Sequence, residues 1–391
     1  MFSDRTNWRL AQNRFTQAVE EVRARGARIL DLAASNPTRV GLKYDATEIL
    51  AAFGSRQILD YDPQAKGLLS ARVAVSDYYR ELCGRNGNEV NPERIVLTTS
   101  TSEGYSYVFR LLFNAGEELL VPKPSYPLFE FLADLQDVKL VPYPLIYDHG
   151  WQMDFPSMEK VLTPRTRGVV VVHPNNPTGS YVHASELGQL NEFCQAHGLA
   201  LIVDEVFLDY GLEELGHFTF AANQDVLTFT LSGLSKISAL PQMKVAWVVT
   251  SGPEDQVAAA MARLEVIADT YLSTNAPVQC AVPTLLEQRK SFQPQLMERV
   301  RANLAELDGQ LAGQNASQRL RVEGGWYAVL RVPVTRPDEE LAIGLVREKS
   351  VLVHPGHFYD FPRDGYLVLS LITAEDEFGE GLRRVLEYLG T

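Results

Sequence analysis

Apolar residues recur at helical spacing over residues 7–25 (Leu10, Ala18, Val19, Val22), and the pattern stops at Gly26, which predicts a first helix there. An irregular stretch with Asn-Pro turn chemistry follows, LAASNPTRVGLKY. The middle of the chain then alternates. Short runs rich in Val, Ile and Leu predict strands at 94–99, 118–121, 138–141, 168–173, 199–204, 226–231 and 245–250. Helical patterns at 102–114, 126–135 and 184–197 lie between some of them. Fully apolar strands separated by helices predict an α/β fold with a mostly parallel central sheet covered by helices. Residues 254–312 read as helical, with prolines inside that predict a break or kink. The last 70 or so residues change character: a strand in RLRVEGGWYAVLRV, a helix at 337–348, strands at 351–353 and 366–371, and a helix at 375–389. This predicts a smaller α+β domain. The expected division is a large domain over 51–285 and a small one built from 1–50 and 286–391.

Composition narrows the classes. The 391 residues carry 36 Lys and Arg against 49 Asp and Glu, a formal charge of −13. That balance argues against nucleic acid or an anionic membrane as the main partner. Cys83, Cys194 and Cys280 lie far apart with no CxxC pair, the usage of a reducing compartment. The N-terminal MFSDRTNWRLAQNRF has no apolar signal core, and no run of about 18 apolar residues occurs. The expectation is a cytoplasmic protein. His354 and His357 are separated by Pro and Gly and have no accompanying acid or cysteine motif, so no metal site is expected.

Three stretches carry chemistry. HPNNPTGSYV (173–182) follows a strand, so it lies at the carboxyl edge of the sheet, where open α/β sheets bind ligands; alone it reads equally as a polar loop. Asp204 stands directly after five apolar residues, where a carboxylate is costly to bury without a cationic partner; alone it reads as an N-cap or a structural ion pair. Lys236, in TFTLSGLSKISALPQMKVAW (228–247), has no acid within ten positions on either side. Desolvation favours its neutral, nucleophilic amine, although a single lysine in a loop is ordinarily a surface group. Together Asn176, Asp204 and Lys236 follow strands of one sheet. A pyridine aldehyde cofactor needs such a set: an amine for the aldehyde, a carboxylate for the ring nitrogen and a donor near the ring hydroxyl.

In these residues the chain resembles the class I/II aminotransferase family of fold-type I pyridoxal-phosphate enzymes, which includes aspartate aminotransferase. The resemblance runs in order through YDPQAKGLLSAR (61–72), PSY (124–126), NPTG (176–179), Asp204 in DEVF, SGLSK (232–236) and VHPGHF (353–358). It implies pyridoxal 5'-phosphate as cofactor, with Lys236 as the Schiff-base lysine and proton carrier and Asp204 as partner of the pyridinium nitrogen. It implies Asn176 as donor to the ring oxygen and Tyr126 as the stacking aromatic, a position that otherwise reads as a core tyrosine. Thr101 and Ser102, at a helix N-terminus, match phosphate contacts, as do Ser235 and Lys244; an ordinary N-cap serine would be placed alike. Tyr61 matches a tyrosine that reaches the phosphate of the neighbouring subunit. The implied assembly is therefore a homodimer with shared active sites. The implied activity is ping-pong transfer of an amino group from an amino acid to a 2-oxo acid. The rivals are a lyase, decarboxylase or racemase on the same scaffold, and a non-catalytic cofactor-binding relative.

The chain departs from the family pattern in three places. Lys244 stands where the family has arginine, and Phe207 where it often has tyrosine. Val368 stands in place of the arginine that grips the substrate carboxylate. Arg39, with Ser35 and Asn36 in the SNPTRVG stretch, is the first expected substitute, ahead of Arg363 and Lys66. Each of these cations otherwise reads as a solvated surface charge. Trp326 reads as core, with a pocket role as the alternative.

Overall fold

A computed structural model describes residues 1–8, 10–83, 89–127, 129–213 and 218–390; the side chain of Cys83 lies outside that description. Among the described residues the strands are β1 (Leu30–Asp31), β2 (Ile95–Thr98), β3 (Glu118–Lys123), β4 (Lys139–Tyr147), β5 (Trp151–Met153), β6 (Thr166–Val172), β7 (Ala200–Asp204), β8 (Thr228–Gly233), β9 (Ala246–Ser251), β10 (Gln318–Arg319), β11 (Tyr327–Arg331), β12 (Val351–Leu352), β13 (His354–Pro355) and β14 (Tyr366–Ser370). Eight form one sheet in the order β2-β9-β8-β7-β6-β3-β4-β5. Pairings from β8 through β7, β6 and β3 to β4 are parallel; β9 and β5 run against their neighbours. The mostly parallel sheet expected from the apolar runs is therefore present, and β7, β8 and β9 are buried along their whole length.

Helices cover both faces. Thr101–Leu112 and Glu254–Tyr271 pack on one, where Phe109, Val170, Ile202, Phe229 and Leu264 share a core. Leu69–Cys83 and Ala276–Glu287 pack near β2 and β9, around Val75, Tyr79, Trp247 and Leu285. A second, antiparallel sheet, β10-β11-β14-β13, belongs to the C-terminal part. The N-terminal strand β1 pairs with β12, so the start of the chain joins that part.

Several boundaries differ from the sequence reading. The first helix runs only over Arg14–Ala24, because Asn13 caps it through Thr16; Leu10, expected on its apolar face, is exposed. The 254–312 region divides at Leu272–Asn275 and at Gln288, while Pro283 and Pro294 lie inside helices. β4 extends to Tyr147 and turns back into β5, a hairpin the mixed polar pattern of 142–153 concealed. No helix among the described residues is long and apolar enough to cross a membrane, and none of their His, Cys, Asp and Glu side chains gather in a group that could hold a metal ion.

Candidate active site

Asn176, Asp204 and Lys236 come together because their strands are neighbours. β6, β7 and β8 are adjacent and parallel, with Val172 opposite Asp204 and Asp204 opposite Leu231. Asp204 ends β7, while Asn176 and Lys236 follow the ends of β6 and β8. All three therefore sit at one carboxyl edge.

Asp204 is buried. Its Oδ1 accepts from the Val206 amide at 3.1 Å and its Oδ2 from the Tyr105 hydroxyl at 3.2 Å. Burial pushes this carboxyl up to about 6, against the pull of those donors and of Lys236. Lys236 is shifted the other way, down to about 8, by burial opposed by Asp204. Its Nζ lies 4.7 Å from the Trp326 ring centroid and 5.4 Å from that of Phe207. Among the described residues no carboxylate lies within ion-pair distance of Nζ. Burial thus makes the amine easier to deprotonate than an exposed lysine, in an aromatic setting close enough to a carboxylate to sense it and too far to be tied by it.

The backbone around Lys236 is pinned by side chains distant in sequence. Tyr210 donates its hydroxyl to the Lys236 carbonyl, Gln293 Nε2 donates to the Ile237 carbonyl at 2.9 Å and Tyr44 to the Ala239 carbonyl at 2.8 Å. The NPTG turn is fixed as firmly. Gly179 has φ +71, and a Cβ there would meet Val322 Cγ2 at 2.4 Å and the Gly324 carbonyl at 2.5 Å, so only glycine fits. Asn175 donates to the Pro124 carbonyl at 3.1 Å and accepts from Ser125 at 2.8 Å, tying this turn to the loop that carries Tyr126. Burial and the charge of Asp204 push the Tyr126 hydroxyl up to about 12. Asn176 Oδ1 is buried without a protein partner.

The four phosphate candidates converge by register. Thr98 pairs with Ala246, and Ala246 with Gly233. Thr101 and Ser102 follow β2, Ser235 follows β8, and Lys244 precedes β9. All four therefore stand at one end of three adjacent strands. Thr101 and Ser102 open the helix Thr101–Leu112, where no intrahelical carbonyl can reach their amides. The N-cap is Ser100, not Ser102. Glu103 Oε2 is engaged by the Thr99 amide at 2.7 Å and the Ser273 hydroxyl at 2.8 Å. Lys244 is exposed, at φ +53.

Other sequence candidates lie apart. Tyr61 is 87% exposed. Ser35, Asn36 and Arg39 are exposed at a cavity of about 540 Å³ that His354 also lines. Asn36 Oδ1 accepts from the Thr38 amide at 3.1 Å and so serves its own turn. Val368 is buried in β14, opposite Val329 and His354. Lys66 is bonded to Glu93, and Arg363 is exposed; neither lines that cavity. His354 bonds Tyr359 at 2.9 Å while His357 is exposed, so the two histidines do not act together.

Trp326 is core and also touches the lysine amine, so its two readings are not exclusive. Sequence reasoning missed Tyr105, Tyr210 and Asn175. Only Asn175, the first Asn of HPNNPTG, carries a local signal.

The residues present fit pyridoxal phosphate: a buried lysine whose pKa burial brings down to about 8, a buried carboxylate, the Asn176 amide at the same sheet edge, and free helix amides beside a cation. The family model described as aminotransferase class I and II matches residues 28–376. Glutamate-pyruvate aminotransferase AlaA of Escherichia coli is 28% identical over 365 residues, covering 90% of this chain and 88% of that protein. Alanine aminotransferase of Mycobacterium tuberculosis is 26% identical over 390 residues, covering 95% and 88%. An aminotransferase structure from Escherichia coli matches with a TM-score of 0.86 at 25% identity, covering 100% of this chain and 98% of that one. Alanine aminotransferase from Pyrococcus furiosus gives 0.90 at 21% identity with 100% of both chains covered, a likeness of fold.

Proposed function

The chain belongs to the class I and II aminotransferase family and transfers amino groups, and from that premise we propose that it uses pyridoxal 5'-phosphate held by Lys236. The observation that supports this most is the Lys236 amine, brought down to about 8 by burial and free of ion pairing, at the same sheet edge as Asp204. When bound, the cofactor supplies an aldehyde for amines and an electron sink for the α carbon. Asp204 would keep the ring nitrogen protonated, Asn176 would serve the ring oxygen, and Tyr126 would stack on the ring. Thr101, Ser102, Ser235 and Lys244 would hold the phosphate. Lys236 Nζ takes the substrate's α proton and returns it to carbon as general base and acid. Phe207 offers no hydroxyl to the ring oxygen and instead lines the lysine with Trp326.

The reading extends to assembly and location. Tyr61 and the exposed Leu59, Leu69, Val73 and Tyr271 suit a homodimer interface in which Tyr61 serves the partner's phosphate. The two sheets suit domains of 51–285 and of 1–50 with 286–391, and the compartment proposed is the cytoplasm. The relatives' names give glutamate, pyruvate and alanine, so the proposed donors are L-alanine or L-glutamate and the proposed acceptors pyruvate or 2-oxoglutarate, the 2-oxo acid of glutamate. The test is direct: the cofactor-loaded protein with L-alanine and 2-oxoglutarate should form pyruvate and glutamate in equal amounts. Neither pyruvate from L-alanine and 2-oxoglutarate nor alanine from L-glutamate and pyruvate would count against the reading.

A further inference from the structure

We infer that Arg39, on the rim of the cavity beside β13, takes the substrate carboxylate that Val368 cannot hold. The inference rests on the proposed amino acid and 2-oxo acid chemistry. Val368 pairs in register with His354, and register partners in a sheet share a face. His354 and Arg39 line the same cavity of about 540 Å³. That cavity therefore opens where an arginine at 368 would point.

A series of contacts links it to Lys236. Phe207 lies 5.4 Å from Lys236 Nζ, and its ring is 6.3 Å from that of Tyr327. Tyr327 pairs with Ser370, whose hydroxyl donates to the Ala34 carbonyl at 2.5 Å. Ala34 lines the cavity.

Charge decides which group grips an anion there. Among the described residues lining the cavity, Arg39 is the sole Lys or Arg, and it forms no ion pair. Burial holds His354 down to about 4, so at neutral pH it is uncharged and offers only a hydrogen bond beside Tyr359. The cavity's two carboxylates are already engaged: Asp31 Oδ1 by the Ala33 amide at 2.9 Å, Glu377 Oε1 by the Asp31 amide at 2.8 Å. Of the cations beside the cavity, Arg299 is paired with Glu375 at 3.2 Å, and Arg23 acts on Asp31 without lining the cavity. The turn carrying Arg39 is set in advance, its amide donating to the Asn36 carbonyl at 3.2 Å. A guanidinium so placed can meet a carboxylate through two parallel N–H donors.

The experiment uses the cofactor-loaded enzyme with L-alanine and 2-oxoglutarate. Arg39→Ala should raise KM for both about tenfold or more while kcat stays within about threefold, the loss of one charge-assisted contact. Arg39→Lys should recover part of that. Raising salt should raise the wild-type KM and leave the Arg39→Ala value nearly unchanged. Binding of propionate, which has the carboxylate without the amine, should weaken by a similar factor in calorimetry. KM and propionate affinity within twofold of wild type in Arg39→Ala, or an equal rise in Arg363→Ala, would overturn the inference. The cofactor's colour is read on the same samples. Retained colour with unchanged KM overturns this inference alone, whereas a colourless wild-type protein overturns the functional reading beneath it and this inference with it.

Discussion

At the scale of single residues, Asp204 and Lys236 set function against stability. Burial pushes the Asp204 carboxyl up to about 6, above its unfolded value. The folded chain therefore holds its proton more tightly, and stability falls as pH rises from about 4 through about 6. Lys236 has the opposite sense. Its folded value near 8 lies below 10.5, so the native state loses its proton first, and stability falls as pH drops from about 10.5 through about 8. At pH 7 both charges are held at a cost. Asp204→Asn should raise the cofactor-free protein's unfolding free energy by about 1–2 kcal/mol at pH 7, less than the full shift because the amide cannot accept from both donors. The same change should lower activity by orders of magnitude. Denaturation curves at pH 4 and 7 check it, and a gain equal at both pH values would contradict the assignment. Phe207 is the second residue-scale test. Phe207→Tyr would add a hydroxyl near the lysine, and the midpoint of the cofactor's visible pH titration should move down. An unmoved midpoint would refute that role.

At the scale of elements, the site is a consequence of strand order, and the sequence showed the strands better than the contacts. β6, β7 and β8 were legible as apolar runs because they are buried on both faces, and Asp204 and Lys236 were legible because each breaks such a setting. The β4–β5 hairpin was not, since its alternating burial mixes polar and apolar residues. Tyr105, Tyr210 and Gln293 were illegible for another reason. Their partners lie 99, 26 and 56 residues away, and no local pattern marks such a contact. Two element-scale outcomes follow. Tyr210→Phe takes the hydroxyl donor from the Lys236 carbonyl, leaving it the Ala239 amide at 3.2 Å, and should cost about 1 kcal/mol of stability, with a fall in kcat. Gly179→Ala forces a Cβ against Val322 and the Gly324 carbonyl at a left-handed φ. It should destabilise by about 2–4 kcal/mol and weaken cofactor retention. Urea unfolding with absorbance of the bound cofactor reads both, and wild-type values would contradict the packing described.

At the scale of the whole molecule, an acidic chain has to gather phosphate donors locally, because its average field repels anions. Register brings the proposed donors Thr101, Ser102, Ser235 and Lys244 to one end of adjacent strands, and the proposed dimer would add Tyr61. Leu69→Glu, on the exposed apolar face, should convert a sedimenting dimer to monomer and reduce phosphate-dependent cofactor affinity by tenfold or more. An intact dimer with unchanged affinity would place the interface elsewhere. The most direct measurement concerns the covalent link at Lys236. Purified protein is mixed with pyridoxal 5'-phosphate, reduced with borohydride and mapped by peptide mass. The account predicts a yellow protein and one phosphopyridoxyl group on Lys236, absent from Lys236→Ala. A colourless mixture, or label spread over surface lysines with none at 236, would contradict it.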